Sequence, residues 1–152
     1  MTLIEATPAA AAPVTLGDRS NEGSSAAVFN GKLHLAYIGT NRDNTLNITS
    51  SSDGQSFSTS QIAGNSNFSP SITAYNGRLY LAWAAKNSFR IQVASSSDGV
   101  NFSTPVPTTF TTQSGPALGV EVLAPLVMVE RCPAQHFSKA VATIRQVVQP
   151  KQ

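Results

Sequence analysis

Apolar residues alternate with polar or small ones along short runs of this chain, and the runs recur. Leu33, Leu35 and Tyr37 fall on one side of a two-residue period, with His34 and Ala36 between them. Leu79, Leu81 and Trp83 repeat the pattern, with Tyr80 and Ala82 between. A period of two puts side chains on alternate faces of an extended strand, so both runs predict strands. Each is preceded by Asn-Gly, at Asn30-Gly31 and at Asn76-Gly77. Asn-Gly is the strongest short hairpin signal, because both of its positions tolerate φ > 0.

The recurrence extends well beyond those runs. With Asn30-Gly31 aligned on Asn76-Gly77, SSAAVFNGKLHLAYI from Ser24 matches PSITAYNGRLYLAWA from Pro70 at an offset of 46, and LNITSSSDGQSFST matches IQVASSSDGVNFST at an offset of 45. The one-residue change falls between Asn41 and Leu46, in a loop, where length changes are tolerated. Each copy reads as four strands. The expected ranges are 24–29, 32–38, 46–51 and 57–63 in the first copy, and 70–75, 78–84, 89–96 and 102–107 in the second. Four strands in about 45 residues is the length of a β-propeller blade. Part of a fourth strand, around Leu16, precedes the first copy, and SGPALGV from Ser114 opens a further first strand after the second. The expected fold is therefore all-β: a partial propeller of two four-stranded antiparallel blades, about 24–63 and 69–107, with flanking strands inside a repeat region of 14–120.

Composition narrows the partners. Charged residues are 12% of the 152, with a net charge of +2 and no basic cluster. The footprint of a nucleic-acid binder is missing, so no nucleic-acid partner is expected. The longest apolar stretch near the end, 122–129, contains Pro125 and is too short to span a bilayer, which predicts a soluble chain with no membrane partner. Residues 1–13 have no basic n-region and are expected to be a flexible segment, not a signal peptide. An extracellular location by a leaderless route, or with a leader lost upstream, stays open. A single cysteine, Cys132, leaves the redox compartment undetermined.

SSDGQSF and SSDGVNF resemble the Asp-box of sialidase-like, or BNR-repeat, β-propellers, whose pattern is Ser-x-Asp-x-Gly-x-x-Trp. Ser51, Asp53, Gly54 and Phe57 fill it once, and Ser96, Asp98, Gly99 and Phe102 fill it again. One residue is missing between Asp and Gly, and Phe stands for Trp. The phrasing NGRLYLAW…SSDGVNFS is more similar to bacterial non-catalytic repeat proteins than to sialidases. Physically, these residues make a tight turn: the carboxylate accepts backbone N–H groups, glycine supplies the unusual angles, and the Phe ring folds back. The alternative reading gives Asp53 and Asp98 a ligand or metal role. A lone carboxylate is poor calcium chemistry, so no metal and no cofactor are expected.

Antiparallel strands alternate in direction. The repeated Asn-Gly and Ser-Ser-Asp-Gly turns therefore share one end of the blades, and the divergent loops GDRSNE, GTNRDN, GNSNF, AAKNS and TTFTTQ share the other. Candidate ligand-binding residues in and around those loops are Asp18, Arg19, Asn21, Glu22, Arg42, Asp43, Asn65, Asn67, Phe68, Lys86, Asn87 and Arg90. Amides and Arg/Asp pairs suit sugar hydroxyls, and a ring suits the C–H face of a sugar; ordinary polar loop chemistry is the alternative. Tyr37 and Trp83 are expected to pack between blades, and His34 to be a packed strand residue.

Sialidases, the resemblance implies, use an arginine triad, a Tyr/Glu pair and an Asp; their Phe-Arg-Ile-Pro motif is absent here. No carboxylate pair of the glycosidase kind is evident, and no catalytic residue is assigned. The expected function is a lectin-like, carbohydrate-binding module without catalysis. The alternatives are a structural fragment of a longer Asp-box protein and a remnant of a sialidase-like hydrolase. Expected partners are a glycan and either a homo-oligomer or the missing blades of a longer chain. After Val120 the repeat stops, and 121–152 reads as a non-repeat tail. A helix is expected over 134–148, with Phe137, Val141, Ile144 and Val148 on one face. It would be a cap over an open blade edge, or the tail would be the product of a frame change or truncation.

Overall fold

The computed structural model describes residues 13–40, 42–121, 124–129 and 140–143. All regular structure in them is β. Strands β1 (Ser25–Phe29), β2 (Lys32–Ile38), β3 (Thr45–Ser51) and β4 (Ser58–Asn65) form one antiparallel sheet in chain order. β5 (Ser71–Tyr75), β6 (Arg78–Ala84), β7 (Arg90–Ser96) and β8 (Val106–Thr111) form a second in the same way. β9 (Ala117–Glu121), β10 (Ala124–Val129) and β11 (Ala140–Thr143) form a third, three-stranded sheet. The fold is two complete four-stranded blades of an open propeller with flanking strands.

Local chemistry accounts for the hairpins. Asn30 and Gly31 have φ of 50° and 70°, and Asn76 and Gly77 have 47° and 70°, the two consecutive left-handed residues that the tight turn requires. β2 and β6 begin and end where the alternation places them. β4 and β8 run further than expected, into GNSNF and TTFTTQ. A bulge in each sheet explains this: β4 jumps from Ile62 to Asn65 opposite Leu46 and Thr45, and β8 from Pro107 to Thr111 opposite Gln92 and Arg90. The skipped residues break the alternation that marks a strand. β8 also starts late, at Val106. Pro105 and Pro107 have no N–H for a ladder, and Ser103 alone donates to the Ser95 carbonyl before them, at 2.8 Å.

Register divides each sheet into two faces. The front carries Leu33, Leu35 and Tyr37 in the first sheet, and Ile72, Leu79, Leu81, Trp83 and Ala94 in the second. The back of the first carries Phe29, His34, Ala36, Ile38, Leu46, Ile48 and Ile62. The main core joins that back to the front of the second sheet, with Phe102 packed against it. A hydrogen bond repeats at each step between sheets. The Ile72 amide donates to Ser25 Oγ at 3.1 Å, and the Leu118 amide, 46 residues on, donates to Ser71 Oγ at 2.9 Å.

Two expectations are corrected. Residues 13–24 contain no strand, only a bridge between Ser20 and Gly39; a strand there would need a sheet beside it. The helix over 134–148 is overturned at Ala140–Thr143, which is β11 and pairs with β10. The rest of that range lies outside the described residues, as do 1–12. A short apolar run fits either period, and here pairing with Leu126–Val129 decides. The sequence repeat stops at Val120, but strand pairing does not: β10 answers β9 as β6 answers β5.

Candidate functional site

The two Ser-Ser-Asp-Gly turns are built alike. Asp53 Oδ1 accepts the Ser51 hydroxyl at 2.9 Å and the amides of Gln55 and Ser56 at 2.8 Å each, while the Gly54 amide donates to Ser51 Oγ at 2.8 Å. Asp98 Oδ1 accepts Ser96 Oγ and the amides of Val100 and Asn101 at 2.8 Å each, and Asn101 Nδ2 donates to Oδ2 at 2.7 Å. Gly54 and Gly99 take φ of 71° and 80°. Each carboxylate is thus occupied by its own loop. The Ser56 amide foremost holds Asp53 down to about 2, and the Asn101 side chain foremost holds Asp98 well below the usual carboxylate range.

A pH dependence follows. Both carboxylates bind protons less readily folded than unfolded, where an aspartate titrates at about 3.8. Their contribution is complete above pH 4 and is lost as pH falls toward 2. Thermal melts across pH 2–6 are expected to show a stable plateau above pH 4 and a falling Tm below it. Replacing both residues (Asp53→Asn with Asp98→Asn) should lower the plateau and flatten the acid slope. An unchanged slope would place the acid sensitivity elsewhere.

At the other end of the blades, a groove of about 540 Å³ opens between the first two sheets. Asp43, Ala63, Gly64, Asn65, Trp83, Ala85, Lys86, Asn87, Ser88, Gln92 and Pro105 line it. Of these, Trp83 is 1% exposed. Gly64 lies close to it: a Cβ there would sit 2.8 Å from the indole. Polar side chains form the rim and tie the loops together. Asn65 Nδ2 donates to the Asp43 carbonyl at 2.7 Å, Lys86 Nζ to the Arg42 carbonyl at 2.9 Å, and the Lys86 amide to the Asn65 carbonyl at 2.9 Å. Asn44 Nδ2 donates to Asn67 Oδ1 at 2.9 Å, and Asn67 Nδ2 reaches the Lys86 carbonyl at 3.5 Å.

The structure splits the sequence candidates. Arg42, Asp43, Asn65, Asn67, Phe68, Lys86 and Asn87 gather at this junction. Asp18, Arg19, Asn21 and Glu22 do not join them; they lie by the front of the first sheet. There Asp18 Oδ2 accepts Thr59 Oγ1 at 2.8 Å, the Asn21 amide reaches the Ile38 carbonyl at 3.4 Å, and Glu22 closes a turn with Ser20 Oγ. Burial and the hydrogen bond to Asp18 push the Tyr37 hydroxyl up to about 12. Arg90 is exposed at the start of β7, outside the groove lining. Trp83 packs between sheets, as expected of it. Tyr37 is its repeat equivalent but bonds Asp18 instead, and His34 is a packed strand residue at 1% exposure.

Ser88 and Gln92 line the groove without having been singled out. Gln92 was legible in principle, since it stands opposite Trp83 in the ladder. Phe89 immediately precedes β7. It takes φ of 56°, the left-handed conformation that Asn44 takes at the equivalent position with 51°. Asparagine visits that region readily; for a bulky residue it is strained by roughly 1–2 kcal/mol. The Phe89 ring lies 6.3 Å from that of Phe68, tilted by 45°.

No protein-family model matches the chain, and no curated protein matches it. Among the described residues, no three His, Cys, Asp or Glu side chains cluster as a metal site, and no helix is long and apolar enough to cross a membrane.

Proposed function

We propose that this chain is a non-catalytic carbohydrate-binding module of the Asp-box repeat type, and that the groove between its first two sheets is the sugar site. The lining supports this most directly. Six of its eleven residues are polar: Asp43, Asn65, Lys86, Asn87, Ser88 and Gln92. Its volume falls within the range of small-molecule sites, which are usually more apolar. A hydroxyl-rich ligand suits such a rim, since amides both donate to and accept from hydroxyls. Phe68 and Phe89 add apolar surface at the same end of the blades, and the strained backbone of Phe89 is a feature that recurs at binding sites. Asp43 is the single carboxylate in the lining, whereas glycoside hydrolysis ordinarily uses two flanking the scissile bond.

The scaffold role of the Asp-boxes fits this reading. They brace the end opposite the groove, leaving the variable loops to meet the ligand.

A glycan array followed by calorimetry on the retained sugar tests the proposal. Asn87→Ala and Gln92→Ala are expected to weaken binding roughly tenfold each, about the worth of one lost polar contact, with little change in Tm. A chain that retains no sugar, or variants that bind as the parent does, would remove it.

A further inference from the structure

Among the described residues, four other than glycine take a left-handed φ: Asn30, Asn44, Asn76 and Phe89. Three are asparagines, which visit that region readily. Phe89 is the exception, and the repeat shows what an unstrained choice would be. Asn44 stands just before β3 as Phe89 stands just before β7. The backbone holds the two alike. The Ser66 amide donates to the Asn44 carbonyl at 3.1 Å, and the Thr112 amide, 46 residues on, donates to the Phe89 carbonyl at 2.8 Å. The Phe89 amide donates to the Ala85 carbonyl at 2.9 Å. The loop between β6 and β7 thus requires a left-handed residue at its last position, and a phenylalanine fills it against its own preference. Such a conformation persists only where the surroundings fix it, and it is a pointer to function.

The side chains differ where the backbones agree. Asn44 Nδ2 donates to Asn67 Oδ1. The Phe89 ring instead meets that of Phe68, and 6.3 Å between centroids at a tilt of 45° lies within the range of an aromatic pair. Both contacts end on one segment, residues 65–68. It is therefore held from two loops at once, through Asn67 by the loop before β3 and through Phe68 by the loop before β7. The Lys86 amide adds a bond to the Asn65 carbonyl. Asn65 lines the groove from this segment, and Lys86, Asn87 and Ser88 line it from the second loop, whereas neither ring is part of the lining.

We infer that Phe89 is a positioning residue of the groove: its ring, paired with Phe68, fixes the loop that presents Lys86, Asn87 and Ser88 relative to Asn65. The inference rests on the reading of the groove as a sugar site. A hydroxyl-rich ligand is met by several polar groups together, and ordering a loose loop at the moment of binding subtracts from affinity. A loop fixed beforehand avoids that loss. An asparagine at 89 would ease the backbone, as Asn44 does, but it would release the grip on Phe68. The strain at Phe89 is thus tied to the ring contact, and the ring contact to the shape of the groove.

Three variants of the full chain test this. Phe89→Asn suits the left-handed backbone and removes the ring, Phe68→Ala removes its partner, and Phe89→Tyr keeps the ring. Two measurements need no sugar. Trp83 is the sole tryptophan and lines the groove, so quenching of its fluorescence by acrylamide reads how far the groove opens. Hydrogen exchange at the Lys86 amide reads the bond between the two loops. Phe89→Asn and Phe68→Ala are expected to speed that exchange roughly three- to tenfold, the worth of an aromatic pair, and to raise the quenching. Exchange in β2 and β6 should stay as in the parent, and Phe89→Tyr should match the parent throughout. On a sugar that the glycan array retains, the same two variants should bind more weakly by the same factor. Parental exchange and quenching in Phe89→Asn overturn the inference. So does faster exchange in every strand alike, which would make Phe89 a general support of the fold. An array that retains nothing removes the sugar reading alone, and quenching and exchange still decide whether the ring fixes the loop.

Discussion

Trp83→Ala is expected to lower the free energy of unfolding by about 3–5 kcal/mol, the range for truncating a buried Trp or Phe. Trp83 is the largest of the fully buried side chains and belongs to the core between the first two sheets. Its ring lies against Gly64, where even a methyl group would not fit, so the neighbouring backbone is already as close as it can come. Removing the indole leaves a cavity between two rigid sheets, which cannot collapse into it without separating the strands that frame the groove. Domains of this size are stable by about 5–15 kcal/mol, so the variant should spend a large part of that margin. Urea denaturation is the measurement, read as a lower midpoint at unchanged slope. A loss below about 2 kcal/mol would mean that the ring contributes little to the contact between sheets.

Local features of the fold were legible because they are written in local chemistry. Asn30-Gly31 and Asn76-Gly77 carry their turn geometry in two residues, and β2 and β6 carry theirs in strict alternation. The Ser51–Asp53 and Ser96–Asp98 turns satisfy themselves within a few residues, so spacing alone exposed them. Relations between sheets were not legible in the same way. Leu33, Leu35 and Tyr37 look like a core face, yet in the first sheet it is the opposite face, with Phe29, Ile38, Leu46 and Ile48, that packs in the main core. Alternation says that a strand has two faces; which one is covered depends on the next sheet. Strand direction placed the candidate loops at one end of the blades, but Asp18 to Glu22 fall on the other side of the first sheet from Asn65 and Lys86. That separation is set by the stacking step, which no single loop encodes. β11 was missed because its apolar residues fit a helical period as well as a strand, and only its partner β10 chooses between them.

Two glycines that the repeat makes equivalent should respond differently to the same change. Gly54 and Gly99 each follow the aspartate of their turn, with φ of 71° and 80°. Alanine at either position carries the left-handed penalty of roughly 1–2 kcal/mol. Around Gly54 there is open space for a methyl group. At Gly99 the added Cβ would sit 2.6 Å from Cε1 of His34, inside contact distance. His34 cannot move aside easily, being 1% exposed and held in the middle of β2. Gly99→Ala should therefore cost a further 1–3 kcal/mol or so for overpacking, and Gly54→Ala should not. The contrast isolates the contact between sheets from the needs of the turn. A double-mutant cycle makes the assignment specific. His34→Ala alone should be destabilising, because it empties a buried site and leaves Phe29 without the ring beside it. Combined with Gly99→Ala, its cost should shrink, since the smaller side chain makes room for the new methyl group. Additive costs in that cycle, or equal costs for the two glycine variants, would show that the second Ser-Ser-Asp-Gly turn is not pressed against the first sheet.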